Sequence, residues 1–314
     1  MADQSNRLRT RRELLKAAIG AAGLVAGASI LGRSEAWGQA PTDGGNLKLA
    51  DDLHVIRMPG EANVIANIDA KGVLLVDGGS AAGSDALMKA VAGLPNAGTV
   101  HTLFNTHWHP EQTGSNERLG KANATIISHE NTRLWLTQNV TPPYAGKTFT
   151  KLPKVAQPNK TFYDNGKLDS GVRYGYIADA AHTDGDLYVY FPNQNVLAVG
   201  DAVSGQGWPE VDWWTGGWIG GIVGGLNRLQ TVANAETRIV PARGPVLSLA
   251  DLKTQQEMFS TIYGRLSQMI NAGKGPSEGV EAKPAKEFEA KMGNPDVFVR
   301  RAFESLWAYV SPDA

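Results

Sequence analysis

The sequence predicts an α/β fold on three observations. Short apolar runs of strand character alternate with helical patterns, Gly and Pro pairs punctuate them, and each cluster of candidate ligands directly follows a strand. Scattered polar residues would seldom fall that way, whereas sites in open α/β sheets collect at the carboxyl ends of strands.

In chain order, residues 53–58, 63–68 and 73–76 read as strands, with Pro59-Gly60 and Asp69-Ala70-Lys71-Gly72 as the turns of a meander. A helix is expected over 84–94, with Ser84 and Asp85 near its start and Gly93 near its end. The apolar run 99–105 leads into Thr106-His107-Trp108-His109-Pro110-Glu111-Gln112-Thr113-Gly114. A helix start at 114–119, a strand at 124–128 and a helix at 130–136 follow. Residues 141–160, with Pro142, Pro143, Pro153 and Pro158, read as a connector with little regular structure; a lid is the alternative.

A strand over 172–178 then delivers His182. Strands at 187–191 and 196–199 form a hairpin that delivers Asp201, and a last short strand at 238–240 delivers Arg243. Ser248-Leu249-Ala250-Asp251 opens a long helix to about residue 271, with Leu252, Met258, Ile262, Leu266 and Ile270 on its apolar face. The segment 286–309 reads as further helix, whose Phe288, Met292, Phe298, Phe303, Leu306 and Trp307 are expected in the core. No internal repeat is present.

Residues 1–40 read as an address and not as part of the fold. Thr10-Arg11-Arg12-Glu13-Leu14-Leu15-Lys16 is a twin-arginine pattern, and the uncharged, Ala/Gly-rich segment 17–32 follows it. That segment is shorter than the roughly 20 predominantly apolar residues a membrane span needs. Cleavage after Ala40 fits the small-x-small rule, with an uncleaved anchor as the alternative. The expectation is a signal peptide over 1–40, recognised by the twin-arginine export machinery, and a periplasmic domain over 41–314 without a stable membrane anchor.

The leader holds six of the 30 Lys/Arg and three of the 31 Asp/Glu, which leaves 24 and 28, a net charge of −4 for the remainder. An acidic balance argues against a nucleic-acid partner. With no cysteine in the chain, thiolate ligands, disulfides and a cysteine nucleophile are excluded. Any metal must be held by nitrogen and oxygen.

Two histidines at i and i+2 just past a strand-like run, His107 and His109, can turn both imidazoles into one space if the loop bends there. Neutral imidazole is the commonest protein ligand for zinc, and His182 in Ala181-His182-Thr183-Asp184-Gly185-Asp186 offers a third. The pair alone is equally compatible with solvated bystanders, so its weight comes from the ordered set of motifs. His54, His101 and His129 lack such a context and read as structural or surface residues.

That order resembles the metallo-β-lactamase superfamily, in which His-x-His-x-Asp-His is followed by a lone His, a bridging Asp and Pro-Gly-His-Gly. Here the motifs read His107-Trp108-His109-Pro110-Glu111-Gln112, His182, Val199-Gly200-Asp201 and Pro241-Ala242-Arg243-Gly244, preceded by an apolar strand ending in Asp77. The resemblance implies an αβ/βα sandwich with a helical extension from about residue 248. It also implies metal ligation by His107, His109, His182 and Asp201. Glu111 stands where the family has Asp, Gln112 where it has His, and Arg243 where the last His belongs. All three departures fall on the second metal site.

A zinc ion on three imidazoles keeps a fourth position for water and lowers the pKa of that water towards about 7. Glu111 keeps a carboxylate on a longer stem and can serve as ligand or base, whereas the amide of Gln112 is a poor zinc ligand. Arg243 has no lone pair and stays protonated. It is expected to pair with Asp201 and Glu111, or to hold a substrate carboxylate or oxyanion. One zinc is therefore expected, with Glu111, Asp201 and Arg243 as catalytic candidates.

Trp208, Trp213 and Trp214, with Trp218 beyond them, suggest an apolar wall for an organic small-molecule substrate; a dimer contact is the alternative. The expected activity is hydrolysis of a small ester, lactone or amide, β-lactams included. The alternative is a non-catalytic metal- or ligand-binding member of the same fold. An iron-dependent oxygenase fits less well, because it usually needs a carboxylate in its facial set.

Overall fold

The computed structural model describes residues 45–177 and 180–310. The leader expected over residues 1–40, and residue 178 at the end of one expected strand, lie outside them. Four antiparallel strands open the described chain: β1 (Gly45–Ala50), β2 (Leu53–Arg57), β3 (Val64–Asp69) and β4 (Gly72–Val76). Next, β5 (Val100–Phe104), β6 (Thr125–His129) and β7 (Lys160–Phe162) add in parallel, completing a seven-stranded sheet in sequence order. Parallel neighbours need crossovers. Helix α1 (Ser84–Ala92) joins β4 to β5, the single turn α2 (Pro110–Thr113) and α3 (Asn116–Lys121) join β5 to β6, and α4 (Glu130–Leu136) follows β6.

The second sheet holds β8 (Asn165–Lys167), β9 (Arg173–Tyr176), β10 (Leu187–Phe191), β11 (Val196–Gly200) and β12 (Arg238–Pro241), in the order β12-β11-β10-β9-β8. Only β11 and β12 are parallel, and helix α5 (Ile219–Val232) lies between them in the chain. Four helices complete the described chain: α6 (Leu249–Asn271), α7 (Pro276–Glu281), α8 (Glu289–Met292) and α9 (Asp296–Val310).

Side-chain alternation along the strands decides the layers. Leu74 and Val76 of β4 pack with Phe104, Leu187, Val189 and Phe191 between the sheets, while Val73 and Leu75 turn the other way onto Leu87 and Val91 of α1. Tyr188, Tyr190 and Leu197 leave the outer face of the second sheet and meet Leu226 of α5, Phe259 and Ile262 of α6, and Phe303 of α9. The layers run helix, sheet, sheet, helix: an αβ/βα sandwich with C-terminal helices.

Helix α6 starts where its sequence signals said. Ser248 Oγ accepts from Asp251 N at 3.3 Å, and Asp251 Oδ2 accepts from Ser248 N at 2.8 Å, a capping box. Helix α5, in contrast, was not expected, because its glycines each lower helix propensity by about 1 kcal/mol relative to alanine. Packing explains one of them: a Cβ on Gly225 would lie 2.9 Å from Ile177 Cγ2, so the helix can approach the chain leaving β9 only without a side chain there.

The excursion over 141–160 has little regular structure and is fastened to the site. It carries a bridge between Val140 and Phe149 and a 3-10 turn at Lys154–Ala156, and the Phe149 ring meets Trp108 edge-on at 5.2 Å. Among the expected C-terminal core residues Met292, Phe298, Phe303 and Leu306 are buried, whereas Trp307 is 46% exposed.

Candidate metal centre

The candidate residues leave one edge of the two sheets. β5 hands over to His107 and His109, β11 to Asp201 and β12 to Arg243. His182 precedes β10, whose start lies beside the end of its antiparallel partner β11. Backbone bonds stitch the sheets together here, from Leu187 N to Thr106 O at 2.9 Å and from Asn63 N to Ala242 O at 2.7 Å. Gly200 takes φ +57°, and a Cβ there would come within 2.6 Å of Thr106 Oγ1, so this approach requires glycine.

Asp77 also sits in the left-handed region, at φ 65°. Its carboxyl holds that conformation by accepting from Thr106 N at 2.8 Å and meeting Thr106 Oγ1 at 2.9 and 3.0 Å. Burial pushes the Asp77 carboxyl up to about 8, against the pull of the Thr106 bonds. The pair fixes the backbone immediately before His107.

His107, His109 and His182 come together. His109 Nδ1 lies 3.1 Å from both His107 Nε2 and His182 Nε2. The three rings stand nearly perpendicular to one another, at 80° to 86°, with centroids 4.6 to 4.8 Å apart. Zinc bound tetrahedrally, with Zn–N of about 2.0–2.1 Å, places ligand nitrogens about 3.3 Å apart. The observed spacing is close to that, and a set of neutral nitrogens without sulfur suits zinc. Among the described residues these three form the group of convergent metal-ligand atoms.

The outward nitrogens decide which atoms face inward. His109 Nε2 donates to Asp212 Oδ2 at 2.9 Å, His182 Nδ1 to the Glu210 carbonyl at 2.8 Å, and His107 Nδ1 lies 3.2 Å from Thr106 Oγ1. Metal-ligating histidines need such partners to fix tautomer and ring orientation. Burial, with the neighbouring imidazoles and Arg243, holds His107 well below the usual histidine range, so it is neutral. At His182 burial pulls the same way, but Asp186, Asp201 and Glu210 outweigh it and raise the group. Burial raises Asp212, yet its bonds from His109, Thr215 and Tyr144 outweigh that and keep the carboxyl well below the ordinary range. Asp212 is thus an ionised acceptor.

Asp201, expected as a ligand, stands just outside the group. Its Oδ2 is 3.6 Å from His107 Nε2 and accepts from the buried Gln112 Nε2 at 2.9 Å. The residue in the family's histidine position therefore holds the bridging carboxylate through an amide. Of the two roles expected of Arg243, the pairing is not seen: among the described residues it forms no ion pair with Asp201 or Glu111. It is exposed and lines the cleft, as does Glu111, which has no hydrogen-bond partner among the described residues.

The cleft measures about 230 Å³ and is lined by His109, His182, Glu111, Asp201, Arg243 and Trp208, with the 203–206 loop and Pro209-Glu210. Trp208 is fixed by donating from Nε1 to Gly293 O at 2.8 Å and by stacking on Phe298 at 4.8 Å. Trp213 and Trp214 are not part of the lining. The 3-10 turn Trp213–Thr215, capped by Asp212, takes Trp213 Nε1 to Glu304 Oε2 at 3.1 Å and leaves Trp214 46% exposed.

Sequence reasoning missed Asp212, Glu210 and Tyr144, which support the ligands from behind. Two acids inside a tryptophan-rich apolar loop were a usable signal for the first two. Tyr144, in the irregular excursion, had none. Of the remaining histidines, His101 pairs with Asp69 at 3.1 Å, and His129 caps α4 by accepting from Asn131 N at 3.2 Å.

The profile of the metallo-beta-lactamase superfamily matches residues 57–254. No curated protein matches the chain. Among solved structures, the DIM-1 metallo-beta-lactamase is 17% identical at TM-score 0.55, over 70% of this chain and 98% of that one. A metallo-beta-lactamase from Pontibacter korlensis is 18% identical at TM-score 0.54, over 69% and 99%. The inverting sec-alkylsulfatase Pisa1 from Pseudomonas sp. is 13% identical at TM-score 0.62, over 83% of this chain and 50% of that one. At these identities the structural likeness concerns the fold alone, but the profile spans more than half of the chain, and the ordered histidine motifs lie within it. The chain belongs to the metallo-β-lactamase superfamily.

Proposed function

We propose that the chain is a zinc-dependent hydrolase of a small ester, lactone or amide. The supporting observation is the convergence of His107 Nε2, His109 Nδ1 and His182 Nε2 beside a cleft that also presents Glu111 and Arg243, whose side chains have no hydrogen-bond or ion-pair partner among the described residues. When bound there, zinc supplies Lewis-acid polarisation of a carbonyl and activation of water near neutral pH. Glu111 takes the proton of the attacking water and passes it to the leaving group. Arg243 holds the negative charge that develops on the carbonyl oxygen, or a carboxylate of the substrate. Asp201, steadied by Gln112, orients the water, and Trp208 covers the apolar part of the substrate. At about 230 Å³ the cleft is smaller than the roughly 300–1,000 Å³ of sites for drug-sized ligands, which favours a small substrate. β-Lactams are one candidate.

One observation favours the alternative of a metal-binding member without turnover: the Gln112–Asp201 bond occupies the place of the family's second metal site. Metal analysis of protein purified without added metal, then a panel of chromogenic esters, lactones and cephalosporins, separates the two. One zinc per chain and turnover of at least one compound are expected. Arg243→Ala should lower kcat/KM about tenfold or more with zinc content unchanged, since it removes a charge-assisted contact to the reacting group. Full zinc without turnover on any compound favours the alternative, and no zinc removes both readings.

We further propose export to the periplasm through the twin-arginine route, supported by the Arg11-Arg12 pattern and the apolar segment behind it. Intact mass of the exported protein should place Pro41 first. Undiminished export of an Arg11→Lys, Arg12→Lys precursor would speak against this route.

A further inference from the structure

We propose that Arg301, on the C-terminal helix α9, is a positioning residue that holds two of the three histidines in place. The inference rests on the three-histidine metal site proposed above. Arg301 lies beyond the residues matched by the family profile, so nothing in the family pattern requires it to serve the site. Even so, one guanidinium closes two separate paths to the ligands.

The first path is electrostatic. Arg301 Nη1 is ion-paired with Glu210 Oε1, and the backbone carbonyl of the same Glu210 accepts from His182 Nδ1 at 2.8 Å. The second path runs through a ring. The Arg301 guanidinium carbon lies 4.0 Å from the centroid of Tyr144, the Tyr144 hydroxyl donates to Asp212 Oδ1, and Asp212 Oδ2 accepts from His109 Nε2 at 2.9 Å. One turn further along α9, Glu304 holds Trp213 of the same loop at 3.1 Å. His107, whose outward nitrogen faces Thr106, is on neither path.

The side chain type follows from the double task. A planar guanidinium can stack its face on a phenol ring while its edge pairs with a carboxylate; an ammonium can keep the ion pair but not the stacking. Arg301 touches none of the ligands, so its removal should leave the fold and the three imidazoles present but less well aimed. Changing a group that orients a ligand directly costs about 10–100-fold in metal affinity. One contact further out, a loss near the lower end, about tenfold, is expected.

The test uses the full mature chain, a chromophoric zinc chelator, and the unfolding temperature of the metal-free protein. Arg301→Ala should weaken zinc binding about tenfold and speed its release, with the metal-free unfolding temperature unchanged. Arg301→Lys should recover part of the affinity, and Arg300→Ala, an exposed neighbour on the same helix, should match the parent. Should Arg301→Ala fail to fold, Glu210→Gln breaks the ion pair and keeps the carbonyl, and it should also release zinc faster. Parent-like affinity and release in the Arg301→Ala protein, or in Glu210→Gln where that variant stands in for it, would overturn the proposal. So would a loss of affinity matched by a fall in the metal-free unfolding temperature. A parent that binds no zinc would instead remove the three-histidine site itself, so the two failures are distinct.

Discussion

Replacing His182 with alanine is expected to abolish stoichiometric zinc, and His107→Ala should do the same. Each variant removes one of three convergent imidazoles and leaves two nitrogens with no other convergent donor group among the described residues. Loss of groups that only orient a ligand already costs about 10–100-fold, so loss of a ligand should cost more than about 100-fold. Metal content after dialysis against metal-free buffer reads the result directly. His129→Ala is the control, because that residue caps α4 and stacks on Tyr176 at 4.3 Å, away from the cluster. It should lose about 1 kcal/mol of stability and no zinc. Near-full occupancy in His107→Ala or His182→Ala would rule out the site.

The second large effect belongs to Asp212. The residue is 1% exposed, and its carboxylate accepts from His109 Nε2 at 2.9 Å, Thr215 Oγ1 at 2.5 Å, Thr215 N at 3.3 Å and the Tyr144 hydroxyl. Alanine there strands several buried donors, each worth about 1–3 kcal/mol when left unpaired. Some of them will find other partners as the loop relaxes, so a net loss of about 3–5 kcal/mol is expected, a large share of a typical 5–15 kcal/mol stability. Zinc affinity should fall about 10–100-fold as His109 loses its orientation. Asp212→Asn, which keeps the shape but removes the charge and supplies one acceptor oxygen, should cost less stability yet still weaken zinc. Denaturant midpoints and chelator competition check both. Parent-like zinc binding by Asp212→Ala would show that His109 is aimed by something else.

These two residues mark the limits of what the sequence disclosed. His107, His109 and His182 were legible because metal ligation needs a particular residue type after particular strands, and that pattern survives in one dimension. Strands such as β4 and β10 were legible for a similar reason, since a strand buried on both faces reads as a short continuous apolar run. Asp212 was only partly so: an acid in an apolar, tryptophan-rich loop signals a special place, but its partner His109 lies 103 residues away and nothing local names that partner. Helix α5 was hidden by glycines that serve close packing and not propensity. The tryptophan loop was read as one wall, but the 3-10 turn at Trp213–Thr215 separates Trp208 from its neighbours. Arg243 is legible as a residue delivered after β12, but the choice between its two expected roles is not: Gln112, with a neutral amide, bonds Asp201, and the guanidinium lines the cleft.

Anomalous diffraction at the zinc absorption edge, on crystals of the zinc-loaded chain, tests the central claim most directly. One peak is predicted, about 2.0–2.1 Å from His107 Nε2, His109 Nδ1 and His182 Nε2, with Gln112 still bonded to Asp201. A second peak between Glu111 and Asp201, with Gln112 displaced, would contradict the one-metal account, and a single peak away from the histidines would contradict the site itself.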